Sequence, residues 1–490
     1  MVWPNLLELD VRAPNASSIV RGSSVPIRYW YDDTDSNATI TLRLDRDSNP
    51  YNQNSLGQIG QFGVLATGDS FASRSTWSWN TAGLTPGTYF VYGEIADGSG
   101  RRRFLYEQSP VTIVAAAGRA GQAPPPTDAA EQPASVSLPD GRLLVGSISD
   151  DGRALLFWRG GGGGWSAVDL SAGSATASPV LGVRVWADAS NGDAYAAVAT
   201  RNGLVVYREE APGVWVSRGL TGELPGASAV VRGLEVFQSR DGRAHVVGIN
   251  ESRDVVLYEQ AGGSGRGAWS FVNLSSSVED RGLVAPVFAG SLVTLVTPWN
   301  ALNIAGLDGS GSIKAIWKAQ GTEWSTADLS ASTGAPALAG GLTAFTTSWN
   351  AMNFLGADAD GNVDGVWWTD DTAWRRTNLT ASVAGGAPRL DAASVTSYAT
   401  PWNAMNIVGR NAAGKVVVYW WTPGTRRWQI APLSDVIPGS PIPSGPMNGD
   451  SSSGGMSVVG TAVGGQLVRY GWEPGEGWRA ENLSAQARVV

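Results

Sequence analysis

Cysteine is absent from the 490-residue chain. That excludes disulfides, thiolate metal sites and cysteine nucleophiles together. Histidine occurs once, as His245, so a Ser-His-Asp triad would have to be built on that residue alone. It sits in RAHVVGIN, a strand-like pattern with no orienting partner nearby, and reads as a packed residue. Lysine is nearly missing, with only Lys314, Lys318 and Lys415, and the formal net charge is −8. The basic footprint that nucleic-acid binding requires is therefore lacking. No apolar stretch approaches the ~20 residues of a membrane helix. The opening MVWPNLLELDV shows neither the charged nor the apolar region of a signal peptide. No 3.6-residue period survives the 63 glycines, which argues against helical repeats. Enzymatic inventories are thin as well. Glycosidases need two facing carboxylates. SISDDGRALLFW (147 to 158) only partly matches the S-x-D-x-G-x-T-W box of propeller sialidases. The chain reads as non-enzymatic.

What is present is tryptophan, 22 of them, in a chain that is 43% hydrophobic and 16% charged. Many short apolar runs bounded by Gly, Asn and Asp indicate an all-β protein. Trp165, Trp215, Trp269, Trp324, Trp374, Trp428 and Trp478 recur at gaps of 50, 54, 55, 50, 54 and 50 residues. Five positions after each stands a leucine: Leu170, Leu220, Leu274, Leu329, Leu379, Leu433 and Leu483. A Ser or Thr follows every one. Within a unit, four strand-like runs are separated by turns, as in GLEVFQS, AHVVGIN, DVVLYEQ and AWSFVNLS. Four strands per ~50 residues is the signature of a propeller blade. The expectation is a seven-bladed β-propeller over 134–490, with the repeated Trp covering each blade's apolar face. Units that begin with an inner strand and end with an outer one share no strand, so ring closure is expected to rest on side-chain packing.

Residues 1–115 differ. LLELDVRAP, VPIRYWYDD, ATITLRLDRD, STWSWNT, GTYFVYGEIAD, RRRFLYEQ and VTIV read as seven short strands, the pattern of an antiparallel β-sandwich of the immunoglobulin or fibronectin III kind. Residues 116–133, rich in Pro and Ala, read as a linker. YWYDDTDSNATITLRLDRD with WSWNTAGLTPGTYFVYGEIADGSG resembles an Ig-like/fibronectin III-like module of large exported bacterial proteins. The later repeats, most clearly VWWTDDTAWRRTNLT, are similar to those of seven-bladed lectin propellers of the bacterial PLL type. That resemblance implies sugar pockets between adjacent blades. The repeats here are less uniform, and the lectins carry no Ig-like module of this kind.

Two clusters are candidate sites. TPWNALN, TSWNAMN and TPWNAMN place Trp299, Asn300 and Asn303, then Trp349, Asn350 and Asn353, then Trp402, Asn403 and Asn406, between the first and second strands of three consecutive units. Trp faces stack on sugar C–H surfaces, and Asn amides serve hydroxyls as donor and acceptor. Against this, Asn favours turns for its own reasons, and a Trp can plug a seam between blades. The second cluster, Asp32, Asp33, Asp35, Asp45 and Asp47, lies at the ends of two strands and offers hard oxygen ligands suited to Ca²⁺. ADADGN (357 to 362) and LDGSGS (307 to 312) read as hairpin turns.

Modular order and a thin catalytic inventory favour an extracellular or cell-surface interaction protein, its propeller a platform for protein partners or self-assembly. The alternative is a lectin-like propeller binding glycans.

Overall fold

The computed structural model describes residues 5–11, 18–20, 24–32, 38–45, 47–51, 56–64, 73–81, 87–97, 100–107, 110–114, 132–160, 164–172, 179–189, 191–261, 267–383, 386–437, 439–452, 455–463 and 465–489. The chain divides into two compact units, Met1–Ala120 and Gly121–Val490.

In the first unit, Asn5–Val11, Ser24–Asp32 and Ser73–Asn80 form one antiparallel sheet. A second sheet runs in the order Ser18–Val20, Val111–Val114, Gly87–Asp97, Ala38–Asp45 and Gly57–Val64, and Arg102–Tyr106 pairs with Gly87–Asp97. Alternation explains the packing. Ile40, Leu42 and Leu44 point to one side of their strand, as do Val91 and Ile95 of the neighbouring one, and all are buried. They share a core with Ile27 and Trp79 of the other sheet. Two strands were not expected from the sequence. Ser18–Val20 is only three residues long, and Gly57–Val64 (GQIGQFGV) has the composition of a loop. Both gain their geometry from pairing with Val111–Val114 and Ala38–Asp45.

In the second unit the strands form successive antiparallel meanders. Sheet 1 contains Ala134–Ser137, Leu143–Ile148, Ala154–Arg159 and Trp165–Asp169. Sheet 2 contains Val180–Ala187, Ala194–Thr200, Gly203–Ala211 and Val214–Gly219. Sheet 3 contains Arg232–Gln238, Ala244–Ile249, Val255–Gln260 and Trp269–Asn273. Sheet 4 contains Leu292–Val296, Leu302–Leu307, Ile313–Lys318 and Ser325–Asp328. Sheet 5 contains Gly340–Thr346, Met352–Ala357, Val363–Thr369 and Thr372–Asn378. Sheet 6 contains Thr396–Ala399, Met405–Arg410, Val416–Trp421 and Gln429–Pro432. Sheet 7 contains Pro443–Ser452, Gly455–Ala462, Leu467–Glu473 and Gly477–Asn482. The first strands stand side by side in chain order, and Pro443–Ser452 lies against Ala134–Ser137. The first strand is thus innermost and the fourth outermost, which defines a propeller of four-stranded blades.

The repeated Trp and Leu divide the work of packing. Every inter-sheet core joins the leucine of one sheet to the tryptophan of the next: Leu170 with Trp215, Leu220 with Trp269, Leu274 with Trp324, Leu329 with Trp374, Leu379 with Trp428, and Leu433 with Trp478. Leu483 and Trp165 complete the circle between sheets 7 and 1. Each Trp therefore covers the preceding seam, not simply its own blade.

The fourth strands stop two residues earlier than the sequence pattern suggests, at Asn273 instead of Ser275 in sheet 3. Six one-turn α-helices begin at the repeat leucine, from Leu220–Glu223 to Leu483–Gln486, and Leu170–Ala172 is a 3₁₀ turn. The next hydroxyl explains the bend. Ser171, Thr221, Ser275, Ser330, Thr380, Ser434 and Ser484 each accept the backbone N–H that opens the third strand of the same sheet, at 2.7 to 3.0 Å. Asn273, Asp328, Asn378 and Asn482 cap the helices that follow them.

Ring closure also differs from expectation. Arg488–Val489 pairs in parallel with the fourth strand of sheet 1, Ser166 opposite Arg488 and Ala167 opposite Val489. Backbone hydrogen bonds therefore join the two ends of the unit, in addition to side chains. On the inner strands Ser135 Oγ donates to Asn448 Oδ1 (2.8 Å) and Ser137 Oγ to Asp450 Oδ2 (3.0 Å).

Candidate functional site

The tripled motif lies in the hairpins between the first and second strands of sheets 4, 5 and 6. Asn300, Asn350 and Asn403 adopt φ of 60°, 65° and 66°. This left-handed conformation suits Asn better than any other residue except Gly. Their N–H groups donate to the carbonyls of Thr297, Thr347 and Thr400. The threonine hydroxyls accept from the N–H of Ala301, Ala351 and Ala404, at 2.8 to 2.9 Å. Sheets 1 and 3 build the same turn with glycine in the left-handed place, as Leu138–Arg142 closes around Gly141 and Ser239–Arg243 around Gly242. Two of the second asparagines are structural too. Asn303 Nδ2 donates to the carbonyls of Leu295 and Ala301, and Asn353 Nδ2 to those of Phe345 and Ala351. Asn406 is 4% exposed and its Nδ2 meets no partner among the described residues.

The tryptophans are different. The shared turn does not require them, and Trp299, Trp349 and Trp402 are 39%, 43% and 40% exposed. Each leans on a tryptophan at the end of the third strand of the next sheet. Trp299 meets Trp368 with ring centroids 5.5 Å apart, Trp349 meets Trp421 at 5.3 Å, and Trp402 meets Trp472 at 5.7 Å. The rings are inclined by 48° to 61°. Such tilted pairs are worth about 0.5–1.5 kcal/mol beyond area burial and hold each loop ring in place. Opposite the second ring in the strand register stand Met352, Met405 and Met456. The same device thus appears at three consecutive seams.

At two other seams the corresponding positions carry charge. Across sheets 1 and 2, Asp140 and Glu209 occupy these places, and Arg142 bridges them. Across sheets 3 and 4 stand Asp241 and Lys318.

Asn350 and Asn403 also line a cavity of about 630 Å³ together with Trp349. The turns of four sheets contribute to it, with Arg240, Pro298, Ser348 and Pro401 at equivalent places, and Ser451 reaches it from sheet 7. Arg240 N–H donates to Asn300 Oδ1 at 2.7 Å, tying adjacent turns together. Arg240 is the one charged group among the described lining residues. The described lining of this cavity is therefore hydroxyl-rich, with one indole and no carboxylate.

Of the second cluster, only the side chains of Asp45 and Asp47 fall among the described residues. Asp45 is fully buried, and its Oδ2 accepts from Tyr106 Oη at 2.7 Å. Burial, then that hydrogen bond, pushes the Tyr106 phenol well above its ordinary range. Asp47 Oδ1 accepts from Asn49 N–H (2.8 Å) in a local turn. Asp33, Asp35 and the side chain of Asp32 lie outside the described residues. No group of three or more acidic, His or Cys side chains able to hold a metal occurs among the described residues. The hairpins at 307–312 and 357–362 close on Asp308 and Asp358, which accept from their own turns. His245 is 1% exposed and stacks on Phe237 at 4.8 Å, with Nε2 3.1 Å from Ser239 Oγ. Burial lowers its pKa to about 4, despite the nearby Glu259 carboxylate.

Sequence reasoning missed Trp368, Trp421 and Trp472. Their signal was the aromatic ending of three successive third strands, in VWW, YWW and GW.

No protein-family model matches the chain, and no curated protein matches its sequence. Among solved structures, the BP39L lectin from Burkholderia pseudomallei is similar, with a TM-score of 0.53 at 15% identity, over 72% of this chain and 98% of that one. The lectin of Aleuria aurantia, solved with Fucα1-6GlcNAc, aligns at a TM-score of 0.42 and 14% identity over 71% and 94%. AofleA from Arthrobotrys oligospora gives 0.42 and 10% over 61% and 85%. At such identities the likeness to the first is one of fold.

Proposed function

We propose that the second unit is a seven-bladed propeller that binds carbohydrate without transforming it, through the three tryptophan seams. The observation that carries this reading is the exposed ring of Trp299, Trp349 and Trp402, each braced by a tryptophan of the next sheet. A rigid, half-exposed indole costs little entropy on binding and offers a flat apolar face to sugar C–H groups. The threonine, serine and asparagine groups beside Trp349 suit hydroxyls, and the carboxylate-free described lining of that cavity suits a neutral saccharide. Seven sheets whose first strands meet in a circle support the blade number. The fold likeness to a protein described as a lectin agrees with the same reading. Each single site would be weak, with Kd of roughly 1 mM or about −4 kcal/mol, and three on one arc would gain by avidity on a repeating glycan.

This reverses the preference drawn from sequence. An assembly platform was favoured there, yet no observation specific to a protein partner has emerged, whereas three braced indoles have. An Ig-like character for the first unit and an extracellular or cell-surface setting belong to the same proposal, since displayed glycans are the natural target of such a surface. A glycan array probed with the soluble chain tests it. Binding to neutral glycans, weakened at least about tenfold by Trp349→Ala, is the expected result. A chain that ignores every glycan would remove the reading.

A further inference from the structure

The seam between sheets 7 and 1 departs from the three tryptophan seams in a coordinated way. The third-strand position held by Trp368, Trp421 and Trp472 is occupied by Arg159 in sheet 1. In the seam's core, the position filled by Leu156, Val206, Leu257, Ala315, Gly365 and Val418 in other sheets is Arg469 in sheet 7, 8% exposed. A cavity of about 600 Å³ remains, lined by Arg142, Arg159, Arg469, Asp450 and Glu473 among others.

The three guanidinium groups are not equivalent. Arg142 closes its fork on Glu209, at 2.9 and 2.7 Å, and its Nε donates to Asp140. Arg469 donates to Ser457 Oγ at 3.0 Å and to Glu481 at 2.6 Å. Both are fixed and spent. Arg159 donates no hydrogen bond among the described residues, and its nearest carboxylate oxygens are those of Glu481 at 3.4 Å and Glu473 at 3.6 Å. Its side chain is 30% exposed. A planar fork held by two loose ion pairs and by no hydrogen bond among the described residues stands on the cavity wall, and its geometry matches a carboxylate. Deeper in, Asp450 is engaged by Ser137, and burial raises its carboxyl above the ordinary range, which reduces its repulsion of a second anion.

We propose that this cavity is a second saccharide site, distinct from the aromatic arc, and that it takes a carboxylate-bearing sugar such as a uronic or sialic acid. The sugar carboxylate meets the Arg159 fork, and its hydroxyls meet the serine-lined wall formed by Ser137, Ser452 and Ser457. The inference rests on the carbohydrate-binding reading, but engages none of the three loop tryptophans.

The test is calorimetric titration of the full chain with glucuronic acid, N-acetylneuraminic acid and glucose. Wild type and a Trp299/Trp349/Trp402→Ala triple variant should bind one or both acidic sugars equally. Arg159→Gln should weaken that binding at least about tenfold, and Arg159→Lys should retain part of it. Binding should fall as salt is raised. Arg159→Gln with unchanged affinity overturns the site. So does a chain that binds neutral glycans through its tryptophans but neither acidic sugar, which leaves the broader function standing. If neutral and acidic sugars both fail, both readings fall.

Discussion

Trp349 and Asn350 are neighbours in the chain with opposite assignments. Asn350 answers to the backbone: its φ of 65° is what the hairpin demands. Asn350→Gly should therefore leave thermal stability within about 0.5 kcal/mol, because sheets 1 and 3 already use Gly141 and Gly242 there. Asn350→Val should cost about 1–2 kcal/mol, read as a lowered melting temperature. Equal tolerance of both would contradict the turn assignment. The tripled motif was legible in the sequence as a question with two answers, and the hairpin geometry accounts for its asparagines and threonines but does not require its tryptophans. The asparagines and threonines belong to the turn, the tryptophans to the surface. The second ring of each pair was illegible, because it comes from the next repeat and no spacing rule links it to the loop. His245 is a further residue-scale case. It is held neutral in the fold with a pKa of about 4 against 6.5 when free, so the unfolded chain takes up its proton first. Stability is then complete above pH 6.5 and declines as pH falls from 6.5 toward 4, by up to roughly 3 kcal/mol. Denaturant titrations across this window should show the decline, and His245→Gln should flatten it.

The element that organises the second unit is the outer strand with its one-turn tail. The Trp and Leu five residues apart were legible as a repeat, and so was the four-stranded blade. Their division between two seams was not, since a linear pattern does not say which neighbour a side chain faces. The short helices were hidden for a simpler reason. Leu-Ser-Ser-Ser or Leu-Thr-Ala-Ser has too few residues for a helical period and reads as the end of a strand. What bends the chain is a hydroxyl taking the first N–H of the third strand. Ser275 is fully buried and accepts from Val255 N–H at 3.0 Å. Ser275→Ala leaves that donor unmet and should cost about 1–3 kcal/mol in denaturant unfolding. Ser275→Thr should be tolerated, as Thr221 and Thr380 already act in the same way. An alanine as stable as wild type would mean that the hydroxyl is incidental.

At the scale of the whole second unit, a ring must join its last blade to its first. Leu483 and Trp165 pack across that junction, inner-strand side chains bridge it, and Arg488–Val489 extends the outer edge of sheet 1. The packing half of this closure follows from the repeat. The strand half does not, because two residues of parallel pairing leave no pattern. Removal of residues 487–490 should keep the fold while lowering the melting temperature by about 2–4 °C for each kcal/mol lost. An unchanged melting temperature would show that side chains alone close the ring. The repeat also sets three braced indoles on adjacent seams, whereas Glu209, Lys318 and Arg159 hold the matching third-strand position in sheets 2, 4 and 1. The measurement that bears on this most directly is glycan binding by the intact chain beside the Trp299/Trp349/Trp402→Ala triple variant, with circular dichroism to confirm that both are folded. Neutral glycans should bind the intact chain and lose at least about tenfold in affinity to the folded triple variant. Undiminished binding by that variant, or no binding by either, would contradict the account.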